Sequence, residues 1–159
     1  MADMSFDESF LAELFDALSE AGLETIIIGN SAAALQGVPI MTQDVDLMVR
    51  KHPQLARKLK MFAAKFGVSL TKPYAPTSEM IRAIGRPIQI DFILKLSSGQ
   101  SFSSLRSHAI KTKIGRRSVL VADLKDVIKA KEATGRSKDK ATLPILKQAL
   151  RVKNEMNKP

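Results

Sequence analysis

The 159-residue sequence predicts a single α/β (α+β) domain in which helices flank a mixed sheet and a helical extension follows. Apolar, β-branched runs at Ile26–Ile28 and Ile88–Leu94 indicate buried strands. Segments with apolar residues at helical spacing precede and follow these runs. The length suits one compact unit with its own core. We expect residues 1–122 to form the α/β core and residues 123–159 to pack on it as a C-terminal helical element.

Composition excludes several kinds of chemistry. The chain has no cysteine, which excludes disulfides, thiol catalysis and thiolate metal sites. No apolar run approaches the length of a membrane span, and an N-terminus with Asp3, Asp7 and Glu8 has the wrong charge for a signal peptide. We expect a soluble cytoplasmic protein that does not bind membranes.

Charge is distributed unevenly along the chain, whose net charge is +9. Residues 1–50 carry one basic and nine acidic residues, residues 51–99 carry nine and two, and residues 100–159 carry fifteen and five. This asymmetry is what a metal site beside a polyanion-binding surface requires. A set of solvated, lysine-rich helix faces explains it equally well.

The first elements are a helix, a strand and a second, short helix. Apolar spacing predicts a core-facing helix from about Phe6 to Ala21. The strand at Ile26–Ile28 stops at Gly29. Ser31 is then the predicted N-cap of a short alanine-rich helix that ends at Gly37.

A second strand, Val45–Val49, carries the most informative pair of residues. Because side chains alternate along a strand, Asp44 and Asp46 project from the same face. Two close carboxylates repel unless a cation neutralises them, and Mg²⁺ is commonly held by one or two carboxylates plus substrate phosphates. The turn at Gly29 offers backbone N–H groups to phosphate oxygens. Together these features predict a metal-nucleotide site.

The middle of the chain is predicted to change from helix to strands. A helix opens at His52-Pro53 and closes at Gly67. Short strands follow at Val68–Leu70 and Met80–Ile84, separated by a proline-containing loop at Lys72–Ser78. A hairpin turn at Gly85-Arg86-Pro87 then leads into the strand that holds Asp91.

Asp91 lies within an apolar strand, where an unpaired charge is costly. A salt bridge to Arg82 or Arg86 is one explanation. Metal ligation beside Asp44 and Asp46 is the other, and the upstream pair of carboxylates favours it.

The remainder is predicted as a serine-rich loop, two strands and two helices. These are Ser97–Ser104, Ala109–Lys113, Arg117–Val121, a helix from Leu124 to a break at Gly135, and Ala141–Met156. His52 and His108 stand alone in the sequence, so we interpret them as loop or cap residues.

Several of these motifs together resemble the signature of the nucleotidyltransferase fold superfamily, above all its small bacterial minimal and toxin-type members. The matching residues are Gly29-Asn30-Ser31, Gly37-Val38-Pro39, Thr42, Asp44-Val45-Asp46, Asp91, and, in the C-terminal part, Lys131, Arg136, Lys138 and Asp139. The family commonly has Gly-Gly or Gly-Ser after its first strand, so Asn30 is a departure.

The resemblance implies a role for each matching residue. Catalytic residues and Mg²⁺ ligands would be Asp44, Asp46 and Asp91. The nucleoside triphosphate, with ATP our first expectation, would contact Gly29, Asn30, Ser31, Lys131, Arg136 and Lys138. Lys131 would reach the phosphates, whereas Asp139 would cap the last helix. Lys131 and Lys138 are equally well interpreted as surface cations.

The expected function is Mg²⁺-dependent transfer of a nucleoside monophosphate to an acceptor hydroxyl. The basic regions favour an RNA end as the acceptor, although seven Phe and one Tyr leave little for base stacking. A protein hydroxyl and a small molecule such as an aminoglycoside are the other acceptors. The alternatives are a catalytically inactive module that binds RNA or protein and a component of a toxin-antitoxin pair.

Overall fold

The computed structural model describes residues 7–73 and 79–158, and within them seven strands and six helices. The strands are β1 (Thr25–Ile28), β2 (Asp44–Val49), β3 (Ser69–Thr71), β4 (Glu79–Ile84), β5 (Gln89–Lys95), β6 (Ile110–Ile114) and β7 (Arg117–Val121). The helices are α1 (Glu8–Glu20), α2 (Gly29–Leu35), α3 (Leu55–Phe66), α4 (Phe102–His108), α5 (Leu124–Thr134) and α6 (Ser137–Met156). The predicted α/β class is confirmed. Its division at residue 122 stays a prediction.

All seven strands form one mixed sheet in the order β3-β4-β5-β2-β1-β7-β6. β2 pairs with β5 in parallel and with β1 antiparallel, and β1 pairs with β7 in parallel. Ile26, Ile27 and Ile28 of β1 are all buried. Because neighbouring side chains of a strand point to opposite faces, the centre of the sheet is covered on both sides.

Local sequence explains where the N-terminal helices begin and end. The carboxylate of Asp7 accepts a hydrogen bond from the Ser9 N–H at 2.9 Å and so caps α1. The predicted start of this helix, Phe6, lies outside the described residues. α3 ends where Gly67 adopts φ +76°, the left-handed conformation of a helix C-terminus.

The helices pack in two groups that hold the sheet between them. α1 contacts α3, β6 and β7, whereas α2 and α6 both contact α5. An aromatic cluster joins α3 to the sheet: Phe62 stacks on Phe66 with ring centroids 5.3 Å apart and meets Phe92 of β5 at 5.4 Å. Within the described ranges, no helix is both long and apolar enough to cross a lipid bilayer.

The predictions for Ser31 and for the stretch Ser97–Ser104 are wrong. Ser31 is not an N-cap, because the chain enters α2 directly at Gly29 and Ser31 lies inside the first turn. The serine-rich stretch Ser97–Ser104 is not a loop throughout, because α4 begins at Phe102. Its N-cap is Ser101, whose hydroxyl accepts a hydrogen bond from the Ser104 N–H at 3.0 Å. The predicted loop at Lys72–Ser78 lies partly outside the described residues.

The junction between α5 and α6 also differs from the prediction. Gly135 breaks the helix with φ +66°, as predicted. α6 begins at Ser137 rather than Ala141, and Asp139 lies in its first turn instead of at its N-cap. The first turn is polar and charged, so it carries no apolar periodicity from which its helical state could be predicted.

Candidate active site

The end of β1 and the start of α2 meet at Gly29, where the backbone requires glycine. Gly29 has φ +64°, a conformation that side chains disfavour. A Cβ atom placed there would lie 2.7 Å from Oδ2 of Asp46, which is closer than real contacts allow. Gly29 therefore leaves room for the Asp46 carboxylate.

Ser31 links this turn to β2. Its buried hydroxyl donates a hydrogen bond to the Ile28 carbonyl at 2.7 Å and accepts one from the Asp46 N–H at 3.3 Å. Oδ1 of Asn30 is buried and has no hydrogen-bond partner within the described residues. A cavity opens beside Gly29 and Asp46, and neither Asn30 nor Ser31 lines it. Ser31 thus holds the backbone that presents Asp46.

Three carboxylates of the sheet converge on that cavity, which has a volume of about 520 Å³. Asp44 and Asp46 come from β2, and Asp91 comes from β5. The parallel register places Asp91 directly beside Asp46 and Gln89 beside Asp44. Strand pairing therefore brings together the three acidic residues that the sequence indicated.

Of the three carboxylates, Asp91 is the one paired with a cation. Arg82 of the neighbouring strand β4 donates two hydrogen bonds to it, from Nε at 2.9 Å and from Nη2 at 3.3 Å. The Gln89 amide donates to the same carboxylate at 3.3 and 3.4 Å. The salt bridge weighed in the sequence analysis is present, and it lies in the same cavity as Asp44 and Asp46.

Asp44 and Asp46 form no such ion pair with a described residue. No described residue donates a hydrogen bond to either carboxylate. Burial, followed by the charges of Asp91 and Asp44, raises the pKa of Asp46 to about 7. Burial and the charge of Asp91 also raise the pKa of Asp44, although Arg82 and Lys138 oppose the shift. Asp44 and Asp46 therefore concentrate negative charge on one side of the cavity.

Cationic side chains form another wall of the same cavity. Lys131 of α5, Arg136 of the α5–α6 junction and Lys138 of α6 all line it. Lys131 is buried and its Nζ donates to Oδ1 of Asp139 at 3.2 Å. It is therefore not a surface cation. Whether it reaches a phosphate stays a prediction.

Asp139 anchors this cationic wall. Its buried carboxylate accepts hydrogen bonds from Lys131, from Nε of Arg136 at 2.7 Å and from the Thr134 hydroxyl. Burial alone would raise the pKa of Asp139. The hydrogen bonds from Thr134 and Arg136 and the charge of Lys131 outweigh burial and hold the pKa at about 2. Asp139 thus joins the end of α5 to the start of α6.

The donor set can be compared with the needs of a magnesium ion. Among residues 7–73 and 79–158, no three Asp, Glu, His or Cys side chains are already arranged to hold a metal ion. Asp44 and Asp46 nevertheless fit Mg²⁺, because they are hard oxygen donors that form no ion pair with a described residue and Mg²⁺ takes one or two carboxylates plus phosphate oxygens. Asp91 is paired with Arg82, and its role as a further ligand of the metal stays a prediction.

A third part of the cavity wall was missed by the sequence analysis. It contains Asp126 of α5, whose carboxylate accepts a hydrogen bond from the Gln100 amide at 3.2 Å and lies 3.0 Å from Nδ1 of His108. Ser98 donates to Oε1 of Gln100 at 2.7 Å. His108 is therefore not isolated. An acidic residue beside Val127 and Ile128 was the available signal.

Comparisons with known proteins agree with this architecture. No protein-family model matches the chain, and no curated protein matches it in sequence. A solved structure of a candidate nucleotidyltransferase from Thermotoga maritima is 20% identical, covers 86% of this chain and 89% of its own, and superposes with a TM-score of 0.60.

Two structures of the antibiotic-resistance factor ANT(2″)-Ia are also similar to this chain. Its solution structure is 14% identical over 90% of this chain and 83% of its own, with a TM-score of 0.61. Its crystal structure in complex with adenylyl-2″-tobramycin is 14% identical over 90% and 88%, with a TM-score of 0.62. The chain therefore has the nucleotidyltransferase fold, as the sequence motifs predicted.

Proposed function

We propose that this protein is a nucleotidyltransferase that moves a nucleoside monophosphate from a nucleoside triphosphate, with ATP as the first expectation, to an acceptor hydroxyl in a Mg²⁺-dependent reaction. One observation carries the proposal. Asp44 and Asp46 form no ion pair with a described residue, and they share a cavity with Lys131, Arg136 and Lys138. Such a cavity offers a metal-bound triphosphate ligands of both signs.

The acidic and the basic residues of the cavity have different roles in the proposed reaction. Asp44 and Asp46 would hold Mg²⁺, which when bound polarises the α-phosphate and neutralises charge on the departing pyrophosphate. Arg136 and Lys138 would bind the outer phosphate oxygens. Lys131 would do so from a fixed position, because Asp139 restrains its ammonium group.

The transfer step makes one bond and breaks another. The acceptor oxygen bonds to the α-phosphorus, and the bond from that phosphorus to the oxygen of the leaving pyrophosphate breaks. We assign the proton of the acceptor hydroxyl to the Asp91 carboxylate, which lies beside Asp46 and is oriented by Arg82 and Gln89. No nucleophilic side chain is needed.

Three classes of acceptor are compatible with the cavity. ANT(2″)-Ia was crystallised with adenylyl-2″-tobramycin, so a small polar molecule is one candidate here. The basic second and third parts of the chain favour an RNA end. A protein hydroxyl is the third. RNA affinity that falls steeply with salt would favour the nucleic acid, and no RNA binding at low salt would exclude it.

Two observations favour a second candidate function. Arg82 already engages Asp91 through two hydrogen bonds, and Asn30 stands where the family commonly has glycine or serine. Both features suit a catalytically inactive module that binds RNA or a protein, including one member of a toxin-antitoxin pair.

Calorimetric titration with each nucleoside triphosphate, with and without Mg²⁺, distinguishes the proposed enzyme from the inactive binding module. We expect Mg²⁺-dependent binding to the wild type and at least ~10-fold weaker binding to Asp44→Asn/Asp46→Asn, because the metal loses its ligands. Glu24→Gln, which changes a half-exposed carboxylate far from the cavity, is the matched control and should bind as the wild type does. No binding of any triphosphate would contradict the proposed enzyme.

A further inference from the structure

Arg82, Asp91 and Asp46 form one row across three neighbouring strands. Arg82 of β4 is the register partner of Asp91 in the antiparallel pair of β4 and β5. Asp91 is in turn the partner of Asp46 in the parallel pair of β5 and β2. Directly opposed residues of paired strands have their side chains on the same face of the sheet. The side chain of Arg82 therefore lines the same cavity as the two carboxylates.

The hydrogen bonds of Asp91 occupy both of its carboxylate oxygens. Oδ1 accepts from Nε of Arg82 at 2.9 Å and from the Gln89 amide at 3.4 Å. Oδ2 accepts from Nη2 of Arg82 and from the same Gln89 amide, both at 3.3 Å. Only 8% of the Asp91 side chain is exposed, against 31% of the Arg82 side chain. A metal ion could coordinate Asp91 only after the guanidinium group had moved away.

Arg82 also changes the charge that a metal ion meets at this site. The hydrogen bonds to Asp91 and the charges of the three carboxylates outweigh burial and raise the pKa of Arg82, which is therefore a permanent cation. Its charge offsets that of Asp91. The carboxylate charges of Asp44 and Asp46 then remain, and one divalent ion is enough to offset them.

We propose that this site takes a single Mg²⁺, held by Asp44 and Asp46, and that Arg82 supplies beside Asp91 the positive charge that a second ion would otherwise supply. This inference rests on the proposed nucleotidyl transfer and specifies its metal requirement. In two-metal sites the ions lie about 3.5 to 4 Å apart and share the charge of the reacting phosphate. Here the guanidinium group and the cationic wall of the cavity would share that charge with one ion.

Two other roles of Arg82 lead to different numbers of bound ions. If the ion pair is a latch, Arg82 leaves Asp91 when the nucleotide binds, and two ions enter the site. If the ion pair only stabilises the sheet, its removal changes stability and leaves the number of ions as it was. Both roles are outcomes of the test.

The test counts metal ions on the full chain. Mn²⁺ replaces Mg²⁺, and a non-hydrolysable triphosphate analogue is present at saturation. Two Mn²⁺ ions within about 4 Å couple magnetically, so electron paramagnetic resonance distinguishes them from an isolated ion. Native mass spectrometry counts the ions on each nucleotide-bound chain. For the wild type we expect one ion, an uncoupled spectrum and, with Mg²⁺, an Arg82 Nε–H resonance in NMR that stays protected from exchange.

Variants of the ion pair identify what excludes the second ion. Arg82→Gln should bind two ions and give the coupled spectrum, because Asp91 is then free beside Asp46. Arg82→Gln/Asp91→Asn removes the pair as a unit and should bind one ion with an affinity within about 3-fold of the wild type. Arg86→Gln, which breaks a comparable pair with Glu13 outside the cavity lining, is the matched control and should bind one ion. Thermal unfolding reports whether each variant folds.

Several results would overturn the proposal. Two ions or a coupled spectrum in the wild type, or loss of the Arg82 Nε–H resonance on binding, would identify the pair as a latch and leave nucleotidyl transfer standing. One ion in folded Arg82→Gln would show that Arg82 does not exclude a second ion. Loss of the single ion in the double variant would make Asp91 a ligand, and this result and those of the wild type decide even if Arg82→Gln does not fold. A wild type that binds neither Mn²⁺ nor the analogue would contradict the proposed function itself, and this inference with it.

Discussion

Asp46 lines the cavity and Asp139 holds two cationic residues of its wall, and these two acidic side chains differ in what surrounds them. Asp139 accepts hydrogen bonds from Lys131, Thr134 and Arg136, and these hold its pKa at about 2. Asp46 accepts none from the described residues and lies beside Asp91, and its pKa is raised to about 7. The protein pairs the Asp139 carboxylate directly with its own cations, whereas the Asp46 carboxylate forms no ion pair with a described residue.

The difference separates a group that stabilises the fold from one that is available for a ligand. Because the pKa of Asp139 is lowered, its contribution to stability is present above the unfolded value of 3.8 and is lost as pH falls toward about 2. Because the pKa of Asp46 is raised, its protonated form favours the fold at low pH, and that contribution is lost as pH rises from 3.8 to about 7. Near neutral pH, a bound external cation can offset the cost of the charged Asp46 carboxylate and so restore that stability.

The largest effect is expected from Asp139→Asn. This change leaves the buried Lys131 ammonium without a carboxylate, which should lower the free energy of unfolding by about 3 to 5 kcal/mol, measured by urea denaturation at pH 7. Replacing both partners, as Lys131→Met/Asp139→Leu, removes the uncompensated charge and should recover at least half of the loss. Equal losses in the single and double variants would show that the ion pair does not hold this junction.

Asp46→Asn should change stability in the opposite direction. Removing a buried charge beside Asp91 and Asp44 should raise the free energy of unfolding by about 1 to 3 kcal/mol at pH 7.5 in the presence of a chelator. The gain should shrink as pH falls from about 7 to 3.8, because the folded wild-type protein already carries a proton on Asp46 in that range. Glu24→Gln provides the comparison and should change stability by less than about 0.5 kcal/mol. A destabilised Asp46→Asn at pH 7.5 would refute the contrast between the two carboxylates.

Magnesium alone should produce the smallest effect. An ion bound only by the folded state stabilises it by mass action, so several-fold excess over the dissociation constant should add about 1 kcal/mol to the wild type. The same ion should add nothing to Asp44→Asn/Asp46→Asn. A thermal shift titration with MgCl₂, with sodium chloride at matched ionic strength, measures both. Equal shifts in the two proteins would place the ion elsewhere.

The pattern of apolar residues was sufficient to predict the strands of the sheet, but not to predict helices that contain few apolar residues. Ile26–Ile28 was predicted as a buried strand because this β-branched run contains no polar residue, and the run ending at Leu94 was predicted as a strand because it is rich in isoleucine and other apolar residues. α4 was missed because only Phe102 and Leu105 of its seven residues are buried, too few to establish a helical period. The start of α6 was missed for the same reason.

The residues of the site were easier to predict than their partners. Alternation along a strand was enough to place Asp44 and Asp46 on one face. The register that sets Asp91 beside Asp46 depends on pairing between strands distant in sequence, and the choice of Arg82 rather than Arg86 as its partner depends on the register of the β4–β5 pair. Arg86 instead holds Glu13 of α1 through two hydrogen bonds of 2.8 Å. The anchoring of Lys131 by Asp139 likewise required the tertiary structure.

The most direct test is an NMR titration of the aspartate side-chain carboxyl carbons, first with a chelator and then with Mg²⁺ and a non-hydrolysable triphosphate. With the chelator, Asp46 should titrate with a pKa of about 7 and Asp139 with a pKa of about 2. Magnesium and the triphosphate should lower the pKa of Asp46 and leave that of Asp139 unchanged, because only Asp46 gains a cation. An Asp46 pKa near 4 with the chelator, or one unmoved by magnesium and the triphosphate, would contradict a carboxylate kept free for a metal-bound nucleotide.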